Sequence, residues 1–130
     1  MGKTSYTNGK TFEIDLCNYF KDNGYYVIYN EKGISGSQPV DMIVIKNNIA
    51  TMIECKNLEN KNGKFPISRI EANQLLSYKF AKSCGNHNFI IAVHWNNNIY
   101  FIDFDLLQFF DKSIDLKNIK PSIEGFNNEN

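Results

Sequence analysis

Two carboxylates and one ammonium group stand on segments that predict β-strands. Asp41 precedes one apolar run, and Glu54-Cys55-Lys56 ends a second one. Two facing carboxylates offer the oxygen ligands that a hard cation such as Mg²⁺ takes, and the backbone carbonyl of Cys55 could supply another. A lysine beside them can orient a water molecule or offset charge on a phosphoryl group. Such a set can hydrolyse a phosphate ester.

The Glu-x-Lys triplet has little value alone. A chain of 130 residues with 7 Glu and 13 Lys contains about 0.7 such triplets by chance. A second copy, Glu59-Asn60-Lys61, lies in a polar stretch that predicts a solvated loop. The copy at position 54 differs because its strand is apolar and an aspartate precedes it. These features favour an active site over the alternative, which is a surface ion pair at a sheet edge.

A β-hairpin would bring the three groups together. β-branched residues are frequent in residues 40–45 and 49–56, and Asn47-Asn48 between them suits a tight turn. Side chains alternate along a strand, so the glutamate and lysine of the triplet share one face. An antiparallel pair then gathers them with the aspartate at its open end.

The helix predicted over residues 8–23 carries a further carboxylate. Its apolar stripe would face the sheet, and Gly24 would end it. Glu13 borders that stripe and could reach the sheet face that bears Glu54, as an additional metal or water ligand. The alternative is a glutamate at the rim of the helix that reaches solvent. The stripe consists of Phe12, Leu16, Cys17 and Phe20.

A second helix is predicted between Pro66 and Gly85. The four residues Ser68 to Glu71 have the form of a capping box, which marks the start of a helix. Gln74 lies in a semi-apolar stripe of this helix. It could donate a hydrogen bond to water or phosphate at the site, or it could be a partly buried glutamine that the backbone satisfies.

The remaining segments predict strands and turns around these elements. Ser35 lies in a glycine-containing stretch that is favoured as the turn into the next strand and could also approach a phosphate. The tail from about residue 112 is weakly patterned and is expected to be poorly ordered. Strands are expected at 25–29, 89–93 and 99–102, with Asn96-Asn97-Asn98 as a turn and a short helix at 105–110.

A neutral total charge hides a basic middle. Residues 56–82 contain six basic and two acidic residues, a net of +4, whereas residues 101–130 have a net of −3. A polyanion could bind the middle segment, although an ordinary solvated face is an equal alternative. Three scattered cysteines predict reduced thiols, and no segment has the pattern of a signal peptide or a membrane span. We therefore expect a cytoplasmic protein, in a bacterium or a phage-infected cell.

The order of these elements resembles the PD-(D/E)XK nuclease superfamily, and within it the Holliday junction resolvases. The segment Gly9 to Glu13 is similar to the opening of the archaeal-type enzymes. Val40-Asp41-Met42-Ile43 and Ile53-Glu54-Cys55-Lys56 match the core pattern, while Phe65 to Ile70 with Gln74 is more similar to the RecU-type enzymes of Gram-positive bacteria and their phages. The resemblance implies an α/β fold with a restriction-endonuclease-like core, in which helices flank a central mixed β-sheet of about five strands. One nuclease domain would span residues 1–130.

The resemblance also implies roles for particular residues. Metal binding would fall to Glu13, Asp41 and Glu54, and catalysis to the same residues with Lys56 and a supporting Gln74. The partners would be a four-way DNA junction and a second copy of the chain, and the cofactor Mg²⁺, with Mn²⁺ as a substitute. Contacts to DNA are expected from Ser35, Lys61, Lys64, Arg69, Lys79 and Lys82.

Three functions remain open from the sequence. The first is a structure-selective endonuclease, a Holliday junction resolvase that reads DNA shape through phosphate contacts. The second is a restriction or repair nuclease on the same core, which would need a base-reading element that no obvious insertion provides. The third is a non-catalytic DNA-binding module, which would not need the active-site residue types that the chain retains.

Overall fold

The structure is a computed structural model that describes residues 9–30 and 40–126. The predicted phosphate contact at Ser35 and the last four residues of the tail lie outside these ranges. The described helices and strands are, in chain order, α1 (Gly9–Asp22), β1 (Tyr26–Tyr29), β2 (Met42–Lys46), β3 (Ile49–Asn57), β4 (Lys64–Pro66), α2 (Ala72–Ser83), β5 (Phe89–Trp95), β6 (Asn98–Asp103) and β7 (Ser113–Asp115). Short 3₁₀ turns occupy Ile67–Arg69, Phe104–Phe109 and Leu116–Asn118.

Five strands form one mixed sheet in the order β1-β2-β3-β5-β6. β3 and β5 run parallel, and the other neighbours are antiparallel. A parallel pair needs a crossover connection, and the segment that contains α2 supplies it. The fold class predicted from the sequence is therefore confirmed.

Two asparagine pairs make the tight turns of this sheet. Asn47 and Asn48 have φ angles of 55° and 66°, and Asn96 and Asn97 have 53° and 64°. Two successive residues with positive φ are the mark of the two-residue turn whose twist matches a hairpin, and asparagine tolerates this conformation well. The first turn fixes the register of the hairpin between β2 and β3, in which Met42 faces Ile53.

Each face of the sheet has its own core. α1 packs its predicted stripe against the face that bears Ile53 and Cys55. The opposite face carries Ile91 and Val93 of β5 and packs against the segments between β3 and β5 and after β6. β5 is buried on both faces, as its nearly continuous apolar sequence predicts.

The second helix begins later than the capping-box pattern predicts. Ser68 lies in the 3₁₀ turn, and the residue at the helix start is Glu71. The backbone N–H of Glu71 donates to Oε1 of Gln74 at 2.9 Å, so the glutamine completes the first turn. The prediction at Ser68 was wrong because Pro66 and the turn after it delay the helix by one short 3₁₀ turn.

The described part of the tail, residues 112–126, has defined structure, in contrast to its weak sequence pattern. β7 pairs with β4 in a separate two-stranded sheet. Residues 119–126, here called the C-terminal strap, then lie along β6, where Ile123 and Ile99 exchange backbone hydrogen bonds of 2.8 and 3.1 Å. These contacts are made with distant parts of the chain, which local periodicity does not reveal. Across residues 9–30 and 40–126, none of the helices has the length and apolar character needed to span a membrane.

Candidate active site

Asp41 lies at a bend immediately before β2, with 2% of its surface exposed. Its Oδ2 accepts a hydrogen bond from the backbone N–H of Cys55 at 2.8 Å. Its own N–H donates to the carbonyl of Ile53 at 3.2 Å, which continues the hairpin ladder. The carboxylate is thus fixed beside the triplet at the open end of the hairpin, where the sequence predicts it.

Glu54 and Lys56 lie on the same face of β3, as the strand period predicts. Nζ of Lys56 is 3.9 Å from Oε2 of Glu54, and both side chains are largely buried. A buried carboxylate is costly without partners, and the ammonium group supplies one of them. The pair therefore presents a carboxylate and a cation side by side at the end of a central strand.

Gln74 connects α2 to this pair. Its Nε2 donates a hydrogen bond to Oε2 of Glu54, while its Oε1 accepts from the N–H of Glu71. The second bond requires an oxygen at that position, so the amide has a defined orientation with its NH₂ group toward Glu54. Both sequence-based interpretations of Gln74 are partly correct. Its side chain reaches the site, and it also forms a hydrogen bond with the backbone.

Glu13 approaches from the other side of the sheet. α1 packs on the face of Cys55, so the expectation that Glu13 lies against the face of Glu54 was wrong. Glu13 is 5% exposed, which excludes the alternative of a solvent-facing rim glutamate. Its Oε1 accepts a hydrogen bond from the hydroxyl of Tyr29 at 2.9 Å. Burial is the largest cause that raises the pKa of Tyr29. The hydrogen bond to Glu13 and the negative charge of Glu13 raise it further.

The three carboxylates lie close enough to the thiol of Cys55 to affect its pKa. Burial raises its pKa well above the ordinary value, and Asp41, Glu13 and Glu54 raise it further, in that order. Burial also raises the pKa of Cys17 to about 11, with Lys21 opposing and Glu13 and Asp41 adding to the rise. Carboxylates from three separate elements therefore act on one small region around Cys55.

The chemistry of this region fits a hard divalent cation. Asp41, Glu54 and Glu13 offer carboxylate oxygens, and the carbonyl of Cys55 lies on the same edge of β3 as its N–H, toward Asp41. Across residues 9–30 and 40–126, no three Asp, Glu, His or Cys side chains stand ready-made as a metal centre. The side chains hold one another instead, through Tyr29, Gln74 and the backbone.

Comparison with known protein families identifies the family of this chain. The family model described as the archaeal Holliday junction resolvase, Hjc, matches residues 4–124. The chain belongs to the Hjc family. It is therefore a nuclease of the Holliday junction resolvase class. These enzymes hydrolyse DNA with the help of divalent metal ions. A search of the curated proteins found no match.

Two solved structures share the fold. Hjc from Archaeoglobus fulgidus, a Holliday junction resolvase from an archaeal hyperthermophile, is 19% identical with a TM-score of 0.62, over 82% of this chain and 86% of that one. The bacterial homing endonuclease I-Ssp6803I is 12% identical with a TM-score of 0.54, over 85% of this chain and 74% of that one. Both likenesses concern the fold, which they place in the restriction-endonuclease-like class predicted from the sequence.

The predicted DNA-contact residues of this Hjc-family chain fall into two groups. Lys61, Lys64 and Arg69 follow the active-site strand, and the Arg69 guanidinium donates to the carbonyl of Asn57 at 3.3 Å. Lys79 and Lys82 lie on exposed parts of α2. At 1.5 Å per residue, Lys82 is about 12 Å along the helix from Gln74.

Lys82 already has an anionic partner. Its ammonium group is 3.0 Å from Oδ1 of Asp105, which also accepts a hydrogen bond from the hydroxyl of Tyr78. The hydrogen bond to Asp105 raises the pKa of Lys82, and the hydrogen bonds from Tyr78 first and then Lys82 lower the pKa of Asp105. Lys82 is therefore a weaker candidate for a phosphate contact than Lys61 or Lys64.

Tyr29 is the site residue that sequence reasoning missed. The strand motif placed it in an aromatic and β-branched run without assigning it a partner. Its position at the end of β1, opposite Met42 and therefore next to Asp41, was the available signal. Reading the register of β1 against β2 would have placed the hydroxyl near Asp41, whereas its bond to Glu13 depends on how α1 packs.

Proposed function

We propose that the protein cuts four-way DNA junctions through Asp41, Glu54 and Lys56, with Mg²⁺ as its metal ion. One observation carries the proposal. The N–H of Cys55 holds the Asp41 carboxylate against a strand on which Glu54 and Lys56 lie 3.9 Å apart. Fixed, buried carboxylates beside an ammonium group are what hydrolysis of a phosphodiester needs.

Mg²⁺ is the proposed ion because every candidate ligand is an oxygen atom. Asp41, Glu54 and the Cys55 carbonyl would hold it, Glu13 would complete the set, and Mn²⁺ would substitute. Bound there, the ion would lower the pKa of a water molecule and offset the charge of the phosphate.

The remaining work falls to the side chains of the protein. Lys56 would donate hydrogen bonds to the attacking water or to a phosphate oxygen, and Glu54 keeps its ammonium group in place. Gln74 and Tyr29 are positioning residues, because they hold Glu54 and Glu13 and have no proposed contact with DNA. Low exposure of all three carboxylates strengthens each interaction relative to water.

Junction DNA would be held by its phosphates rather than its bases. Ser35, Lys61, Lys64, Arg69, Lys79 and Lys82 are the proposed contacts, as the sequence suggests, with Lys82 the weakest of them. Phosphate contacts position a protein on DNA and carry no sequence information directly. We therefore propose recognition by shape, in a cytoplasmic enzyme.

A second copy of the chain is the proposed protein partner. Leu76 and Phe80 lie one helical turn apart on α2, with 66% and 72% of their surfaces exposed. These two large apolar side chains form a neighbouring pair on one exposed helix face, and a contiguous apolar surface of this kind supports an interface there. A homodimer joined there would bring two active sites to one junction, which has two strands to cut.

Replacement of Asp41 or Lys56 tests the assignment. With a labelled four-way junction and Mg²⁺, we expect Asp41→Asn and Lys56→Ala to slow cutting by about a hundredfold to a thousandfold each. The asparagine keeps an oxygen for the Cys55 N–H, so the fold should persist. Lys117→Ala, at an exposed lysine, removes the same charge elsewhere and should cut normally.

Several outcomes would contradict the proposal. They are a wild-type protein that leaves junctions intact, or variants at Asp41 and Lys56 that cut at the wild-type rate. Cutting of linear duplex at fixed sequences would favour a restriction-type enzyme instead. Junction binding without Mg²⁺ or Mn²⁺ binding, measured by calorimetry, would favour a non-catalytic module.

A further inference from the structure

Hydrogen bonds within the connection between β3 and β4 hold it together. Residues 58–64 are here called the basic loop, since they carry Lys61 and Lys64. Oδ1 of Asn60 accepts from the N–H of Gly63 at 2.9 Å, and its Nδ2 donates to the carbonyl of Lys64 at 3.0 Å. Oδ1 of Asn62 accepts from the N–H of Lys64 at 2.9 Å. The tip of the loop is exposed, but hydrogen bonds hold its backbone at Gly63 and Lys64.

Trp95 supports this loop from beneath. Its Nε1 donates to the carbonyl of Asn60 at 2.8 Å. Gly63 has a φ of +73°, and a Cβ there would lie 2.7 Å from the Trp95 ring, a distance that real Cβ atoms essentially never show. On the far side, the Gly63 carbonyl accepts from the N–H of Leu116 at 2.8 Å. Glycine at this position thus lets the loop lie directly on the indole.

The basic loop and the active site share one rigid frame. β3 ends at Asn57, one residue after Lys56, and the N–H of Leu58 donates to the carbonyl of His94 at 2.9 Å. The next residue of β5 is Trp95. The side chain of Asn57 holds the acidic group of the loop, Glu59, at 3.1 Å. The strand that carries Lys56 therefore also sets the position of the loop and its lysines.

We infer that Trp95 and Gly63 are positioning residues that hold Lys61 against a DNA phosphate at a fixed distance from the scissile bond. Only five positions separate Lys56 from Lys61, and both flanks of the loop are tied to strands. A loop in one shape selects one phosphate, and so one cutting position. A loop free to move would select several. This inference rests on the function proposed above.

The experiment compares two glycines in the same backbone conformation. Gly63→Ala places a methyl group into the Trp95 ring, whereas the methyl group of Gly125→Ala, at a φ of +68°, meets no atom of residues 9–30 or 40–126 within 4 Å. Trp95→Phe removes the indole N–H that holds Asn60. Binding is measured against salt with Ca²⁺ in place of Mg²⁺, and cutting positions are mapped at nucleotide resolution with Mg²⁺.

We expect Gly63→Ala and Trp95→Phe to spread the cuts over several phosphates and to flatten the salt dependence, by about 0.9 in the log–log slope for one lost contact. Lys61→Ala should flatten it equally, and Gly125→Ala should change neither quantity. A merely structural role would lower the melting temperature and leave slope and cutting position unchanged in the folded fraction.

The failure of this inference is distinct from failure of the proposed function. If wild-type protein cuts junctions but Lys61→Ala keeps the full salt slope, Lys61 does not contact a phosphate and the inference is overturned. If Lys61→Ala loses the contact while Gly63→Ala and Trp95→Phe keep one sharp cutting position, the support from Trp95 is unimportant. If wild-type protein does not cut, the proposed function fails and the inference fails with it.

Discussion

At the scale of single residues, the amide of Gln74 joins the start of α2 to the Glu54 carboxylate. One half of the group completes the first turn of the helix, and the other half donates to the active site. A small displacement of the helix start would therefore move the donor away from Glu54. The position of one helix terminus thus controls the position of one candidate metal ligand.

We predict that Gln74→Ala slows junction cutting at least tenfold and shifts its Mg²⁺ dependence to higher concentrations, because Glu54 loses a donor that fixes it. Cutting rates measured across a Mg²⁺ titration check this. Gln108→Ala removes an exposed glutamine whose amide contacts only the nearby Asp105 carbonyl among the described groups, and serves as the control. A Gln74→Ala protein that melts earlier but cuts with unchanged Mg²⁺ dependence would show a purely structural role.

The sequence predicts much of the site at this scale. Strand periodicity alone puts Glu54 and Lys56 on one face, and hairpin register brings Asp41 to them. The contact between Glu13 and Tyr29 could not be predicted, because it depends on how α1 lies across the sheet. The two hydrogen bonds of Gln74 could not be predicted either, because they depend on the residue at which α2 begins.

At the scale of elements, the asparagine turn between β2 and β3 fixes the register that aligns Asp41 with Cys55. Composition predicts such a turn, and the angles confirm it. The late start of α2 and the pairing of β7 with β4 were not predictable from local pattern. Both arise from contacts between segments that are distant in the chain.

Replacing Asn48 tests the turn. Asn48→Val should lower the free energy of unfolding by about 1–2 kcal/mol, because a β-branched residue is strained at a φ of 66°. Asn48→Gly should preserve stability, since glycine adopts this conformation freely. Chemical denaturation measures both. The folded Asn48→Val protein should cut normally because the turn lies at the end of the hairpin remote from Asp41, and slowed cutting would place the turn nearer the chemistry.

At the scale of the whole molecule, the exposed apolar side chains of α2 support the proposal that a second copy of the chain binds there. Leu76 and Phe80 are exposed on α2 while Tyr78 and Ala81 of the same helix face the core. A helix with apolar residues on both sides has two surfaces to bury. Within this molecule one of them is buried, and the proposed second copy would bury the other.

Phe80→Asp should therefore convert a dimer of about 30 kDa into the 15.0 kDa monomer in sedimentation velocity. A buried charge at such an interface costs several kcal/mol, so partial dissociation should be visible at micromolar concentration. Ile49→Asp, at a half-exposed isoleucine beside the turn between β2 and β3, is the matched control. Dissociation by Ile49→Asp alone would move the interface to the sheet.

The C-terminal strap has a consequence for the protein at high concentration. A sheet ends in strands with unpaired backbone groups, and such an edge can recruit a strand from another molecule. Ile123 occupies part of this edge by bonding to Ile99 of β6. The C-terminal strap thus covers part of the β6 edge, and we expect its removal to leave that edge open to strands of other molecules.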